Sequence, residues 1–87
     1  MPANTIYWSR RAAKQLRKIP RLQAKTIYEK VTALKADQQA WENVTRLTNH
    51  VSGFRLRVGR YRVLFSHDEI VKIVNIEEVK KRDEQTY

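Results

Sequence analysis

Cysteine is absent from the 87 residues, which excludes disulfides, thiolate metal sites and a cysteine nucleophile. Its absence fits the reducing cytoplasm, which is the location expected. No apolar run approaches the roughly 18–20 residues of a transmembrane helix, and the basic N-terminus lacks a signal peptide's apolar segment. A soluble protein with no membrane partner is expected. Also missing are HExxH, a P-loop, a Cys/His cluster and a Ser/His/Asp constellation. Carboxylates do not cluster outside the C-terminal stretch, so a two-metal phosphoryl-transfer site has no ligands. No metal and no cofactor are therefore expected.

Negative charge is scarce as well. The formal net charge is +9, and the first acidic residue, Glu29, follows seven basic ones. From Val44 to His67 there is no Asp or Glu, yet there are five arginines and no lysine. A basic surface of this kind calls for nucleic acid, an anionic membrane or an acidic protein partner. Arginine without lysine tilts the balance toward phosphate, because the planar guanidinium binds oxyanions with two parallel hydrogen bonds. The length predicts one domain over residues 1–87, burying about 60–65% of the surface its unfolded chain would expose.

The stretch Phe54 to Phe65 organises the pattern. As extended chain it turns Phe54, Leu56 and Val58 to one face and Arg55 and Arg57 to the other. Beyond Gly59, expected at the turn, Tyr61, Val63 and Phe65 alternate with Arg60 and Arg62. Paired as a hairpin, the segments carry an apolar face and a face of four arginines that repel one another. Upstream, Thr5–Trp8 reads as a short strand and Ser9 as a helix cap. Ala12, Ala13, Leu16 and Ile19 recur at helical spacing until Pro20, and Leu22 to about Lys35 forms a second helix. Trp41 and Leu47 read as anchors in a weakly patterned connection. His50 reads as a surface residue, and His67 as a turn residue before a strand over Ile70–Ile76. By composition Glu77–Tyr87 is a charged tail, though three consecutive bases and a terminal tyrosine also fit the edge of a site.

The chemistry on offer is a guanidinium cluster with a few lysines and tyrosines. It can hold a phosphodiester and stabilise the added charge of a pentacovalent transition state. RNA brings its own nucleophile, the 2′-hydroxyl, which DNA lacks. The run Arg55-Leu56-Arg57-Val58-Gly59-Arg60-Tyr61-Arg62-Val63-Leu64-Phe65, with Lys81-Arg82 and Tyr87 downstream, resembles the RelE/ParE superfamily of toxins from bacterial type II toxin–antitoxin modules. The resemblance covers essentially the whole chain. It implies an α+β fold, with an N-terminal strand, a two-helix hairpin on one side of a small antiparallel sheet, and a basic C-terminal edge.

The resemblance also implies an activity, ribosome-dependent, metal-free cleavage of messenger RNA in the A site, leaving a 2′,3′-cyclic phosphate. Its partners would be messenger RNA on the ribosome and a cognate antitoxin, acidic, partly disordered and DNA-binding. Carried over by position, the family's site residues fall on Arg55, Arg57, Arg62, Arg82 with its rival Lys81, and Tyr87. The best-known RelE-type enzymes carry lysines where Arg55 and Arg57 stand. A guanidinium keeps its proton, so Arg55, Arg57 and Arg62 are expected to orient and neutralise the phosphate. Arg82 or Lys81 is expected to face the leaving oxygen, and Tyr87 to take the 2′-hydroxyl proton or stack on a base. Arg46, Arg60 and Lys80 are expected to bind RNA beside them. The main alternative is a ParE-type inhibitor of DNA gyrase with no nuclease activity. A nucleic-acid-binding module and an inactive toxin remain further readings.

Overall fold

The elements follow from local sequence. A computed structural model of the chain describes residues 3–81. Strand β1 (Thr5–Trp8) ends at Ser9, whose hydroxyl accepts the Ala12 N–H at 2.9 Å and so caps helix α1 (Arg10–Arg17). Pro20 stands directly before helix α2 (Arg21–Thr32), which tightens into a 3₁₀ turn over Ala33–Lys35. This is the expected helical hairpin. Its inward side carries Ala12, Ile27, Val31 and Leu34, all buried.

Four strands follow: β2 (Val44–Arg46), β3 (Phe54–Val58), β4 (Tyr61–Asp68) and β5 (Ile73–Lys81). They assemble with β1 into one five-stranded sheet in the order β1-β5-β4-β3-β2. The fold is α+β, with both helices on one face of the sheet. The sheet is mixed and not antiparallel throughout, because β1 runs parallel to β5. Only a tight hairpin forces antiparallel pairing, and the whole intervening chain separates these two strands. The apolar alternation of β3 and β4 falls as expected. Leu56, Val58, Val63 and Phe65 meet Val74, Ile76 and Val79 of β5 and the helices in one hydrophobic cluster. Trp41 closes that cluster at one end, edge-on to Phe54 and Phe65, and its indole N–H donates to the Leu34 and Ala36 carbonyls at 3.2 and 3.0 Å.

Other expectations shift. The weakly patterned connection contains β2, paired over three residues with β3. His67 lies within β4 opposite Val74 and packs against Trp41 at 4.9 Å, so it is a strand residue. The last strand begins three residues later than Ile70. The Asp68 carboxylate accepts the N–H groups of Ile70 and Val71, and Lys72 is left-handed at φ 59°, so these residues form the turn. Glu77–Lys81, charged in composition, is the second half of β5, and Glu78 to Lys81 pair with β4 residue by residue. It runs past the end of β1, and α1 covers the edge this opens. The Gln15 side-chain oxygen accepts the Val79 N–H at 2.7 Å, and the Ser9 hydroxyl donates to the Glu77 carbonyl at 3.1 Å.

Candidate functional site

The face of the sheet away from the helices carries the arginines. Pairing register sets Arg57 opposite Arg62 and Arg62 opposite Lys80, a row of three cations across three adjacent strands. The next row runs Arg55, Leu64, Glu78. Leu64 is only 5% exposed although it faces outward. Its cross-strand neighbours are Arg55 and Glu78, long side chains whose aliphatic stems can cover an apolar residue between them. Strands lie about 4.7–4.9 Å apart, so the backbone of the row spans roughly 9–10 Å from β3 to β5. Like charges placed directly opposite destabilise a sheet by roughly 0.2–1 kcal/mol per pair. Arg62 is half-buried, and among the described residues its Nε is buried with no hydrogen-bond partner.

A β-bulge completes this face. Leu64 pairs with Glu78 but Phe65 pairs with Ile76, so Glu77 is the extra residue. Val74, Ile76 and Val79 point inward, which turns both Glu77 and Glu78 outward onto the arginine face. Glu77 accepts a hydrogen bond from the Ser52 hydroxyl. Glu78 lies 3.7 Å from the Lys80 ammonium and 3.6 Å from the guanidinium of Arg11, which reaches it from α1. Neither glutamate nor Arg11 stood out as a site residue in the sequence. The spacing Val74, Ile76, Val79 does break the two-residue period, and that break is the trace a bulge leaves.

Not every expected residue joins the row. Arg55, Arg57, Arg62 and Lys80 share the open face. Arg60 does not alternate with Arg62, because Gly59 and Arg60 form the turn and the strand restarts at Tyr61. Gly59 is left-handed at φ 56°, a conformation that favours glycine. Arg60 lines a groove of about 550 Å³ between the turn and α2, and Lys81 lines the same groove because it pairs with inward-leaning Tyr61. Arg46 lies opposite Phe54, on the helix-covered side, with its guanidinium 4.9 Å from that ring. Arg82 and Tyr87 lie outside the described residues. His50 is exposed, and its Nδ1 accepts the Ser52 N–H.

A cationic sheet face, backed by a helical hairpin, defines the class as a small α+β protein with its positive charge gathered on the open side of the sheet. The chain matches the model for the ParE toxin of the type II toxin–antitoxin system, parDE, over residues 6–85. It belongs to this toxin family, within the RelE/ParE superfamily. Its fold is similar to the toxin–antitoxin complex RelBE2 of Mycobacterium tuberculosis, with TM-score 0.77, 24% identity, and 94% of this chain and 100% of that one covered. It is similar to the archaeal RelE–RelB complex of Pyrococcus horikoshii OT3, with TM-score 0.78, 22% identity and coverage of 97% and 99%. An arginine-to-alanine double mutant of E. coli RelE in the free state gives TM-score 0.75 at 16% identity, with 95% and 87% covered. At these identities the likeness is one of fold. No curated protein matches the chain in sequence. Among the described residues no helix is long and apolar enough to cross a membrane.

Proposed function

We propose that this toxin is an endoribonuclease that cuts messenger RNA in the ribosomal A site and so stops translation. The observation that supports this most is the row Arg57, Arg62, Lys80, with Arg55 beside it. A like-charged row that weakens its own sheet makes sense where an anion sits on it during work. In the reaction the 2′-oxygen bonds to phosphorus and the bond to the leaving 5′-oxygen breaks, giving a 2′,3′-cyclic phosphate. No metal enters this scheme. Arg55, Arg57, Arg62 and Lys80 hold the phosphate and stabilise the charge that grows on it. Arg82 neutralises the charge on the leaving 5′-oxygen, which takes its proton from water, and Tyr87 accepts the 2′-hydroxyl proton or stacks on a base. Lys81, on the groove side of the sheet, stands apart from this phosphate. Arg60 at the hairpin turn contacts RNA beyond the cut. Arg46, on the other side of the sheet, stands apart from this row.

The ribosome supplies what this small site lacks, a substrate already bent and positioned. The RelE–RelB complexes among the similar folds support a protein antitoxin as the second partner. It would be acidic and partly disordered, would carry a DNA-binding element, and would neutralise the basic face as it folds. A second reading, inhibition of DNA gyrase without nuclease activity, is favoured by the match to the ParE model. Brief expression with pulse labelling separates the two. Under the nuclease reading protein synthesis stops before any DNA damage response, and the reverse order supports gyrase.

A further inference from the structure

Helix α1 lies along the edge of β5, and its cations continue those of the open face. Gln15 pins the helix to Val79 on that edge. Arg11, one turn before Gln15, reaches the open face and meets Glu78 at 3.6 Å. Lys14 and Lys18 follow Arg11 at i+3 and i+7, on the same side of the helix. All three cations are exposed, and α1 has no acidic residue in its first turn to balance them. The Lys14–Lys18 pair at i, i+4 is a like-charge pair of the kind that weakens a helix. Cations thus run from Arg57 on β3, across Arg62 and Lys80, to Arg11 and down α1, with the Glu78 carboxylate between Lys80 and Arg11. Among the described residues Glu77, held by the Ser52 hydroxyl, shares this face, and Glu78 stands in the path itself.

We propose that Arg11, Lys14 and Lys18 extend the cationic row into a track for a single RNA strand, with Glu78 the carboxylate that an entering phosphate displaces. RNA as the occupant rests on the nuclease reading above. The surface itself also favours it over an acidic protein segment. A segment that folds onto a surface docks apolar anchors. Of the exposed large apolar side chains, Leu22 and Tyr28 lie on α2 and Ile70 and Val71 in the β4–β5 turn, while Val51 lies in a loop beside Ser52. Among the described residues Tyr7 of β1, opposite Asn75, is the exposed aromatic on the open face, and such a ring suits a base. Glu78 gives the track a built-in competitor. Without RNA it screens the cations from one another. With RNA it frees two of them.

The test is fluorescence anisotropy of a labelled 2′-O-methyl oligouridylate with the full chain over a salt series. The methylated strand has no nucleophile and no ribosome is present, so the outcome does not depend on cleavage. Each single-strand phosphate contact contributes about 0.7 to the slope of log affinity against log salt. Arg11→Ala/Lys14→Ala/Lys18→Ala is expected to flatten that slope by about 2. Glu78→Gln is expected to tighten binding and steepen the slope by about 0.7–1.4, for one or two released cations. Lys25→Ala/Lys30→Ala/Lys35→Ala removes equal charge away from the track and is expected to leave the slope near wild type. An unchanged slope in the first variant, an equal loss in the control, or weaker binding by Glu78→Gln would overturn the proposal. Preference for polyglutamate over the oligouridylate would overturn it too, and assign the surface to an acidic protein. Loss of cleavage with these slopes intact would overturn only the nuclease reading.

Discussion

Arg57 and Arg62 face each other across the β3–β4 hairpin, like charge against like charge, with Lys80 beyond Arg62 on β5. In an ordinary sheet such positions hold opposite charges or β-branched residues. Here repulsion is retained where the register could not set the groups closer.

This relationship predicts a trade between stability and activity at Arg62. Arg62→Met keeps much of the stem and removes one charge and a buried Nε that has no partner among the described residues. Stability should stay equal or rise by roughly 0.2–1 kcal/mol. A gain at the upper end would raise the melting temperature by about 4–8 °C. Messenger cleavage should fall by about 10²–10³. A variant that melts well below wild type, or cleaves at full rate, contradicts the assignment.

The two lysines at the end of β5 point to opposite sides of the sheet. Lys80 stands opposite Arg62 on the open face, whereas Lys81 stands opposite Tyr61 and lines the groove beside α2. In ribosome-programmed cleavage Lys80→Ala should therefore slow the reaction by the larger factor. A larger loss for Lys81→Ala would move the scissile phosphate toward the hairpin turn.

Gln15 holds the open edge of β5 through the Val79 N–H. Gln15→Leu leaves that amide unpartnered beside buried Val79, at a cost of about 1–3 kcal/mol. Thermal unfolding checks it, and an unchanged midpoint would mean that α1 docks by its apolar side alone.

Asn4 is 6% exposed and donates through its side-chain amide to the Leu34 and Ala36 carbonyls, at 2.9 and 3.1 Å. Trp41 donates to the same two carbonyls. With its amide nitrogen donating, the Asn4 oxygen faces His67 Nε2 at 3.3 Å as an acceptor. Asn4→Ala should destabilise by about 1–3 kcal/mol, and urea unfolding measures it. Because the site lies at the other end of β4, specific activity at low temperature should be kept.

The apolar half of the fold was legible in the chain. Two helices split by Pro20, and a hairpin turning at Gly59, can be read from periodicities of 3.6 and 2. What escaped depends on partners distant in sequence. β2 is too short to show a pattern, and only pairing with β3 makes it a strand. Glu77–Lys81 looks like a solvated tail until β4 and Gln15 satisfy its backbone. Arg55, Arg57 and Arg62 could be grouped from alternation alone, but Arg60 could not be separated from them, since the turn length decides its side. Lys80 and Lys81 were ambiguous for a related reason, because the bulge at Glu77 resets which of them faces out. Glu78 and Arg11 meet only through the docking of α1, a tertiary contact.

RNA cleavage by the cationic sheet face is open to end-mapping of a translated messenger. Purified toxin is added to ribosomes translating a defined messenger, and both new RNA ends are characterised. The expected result is a cut at the A-site codon, with a 2′,3′-cyclic phosphate upstream and a 5′-hydroxyl downstream. Intact messenger, together with loss of gyrase supercoiling in a parallel reaction, would contradict it.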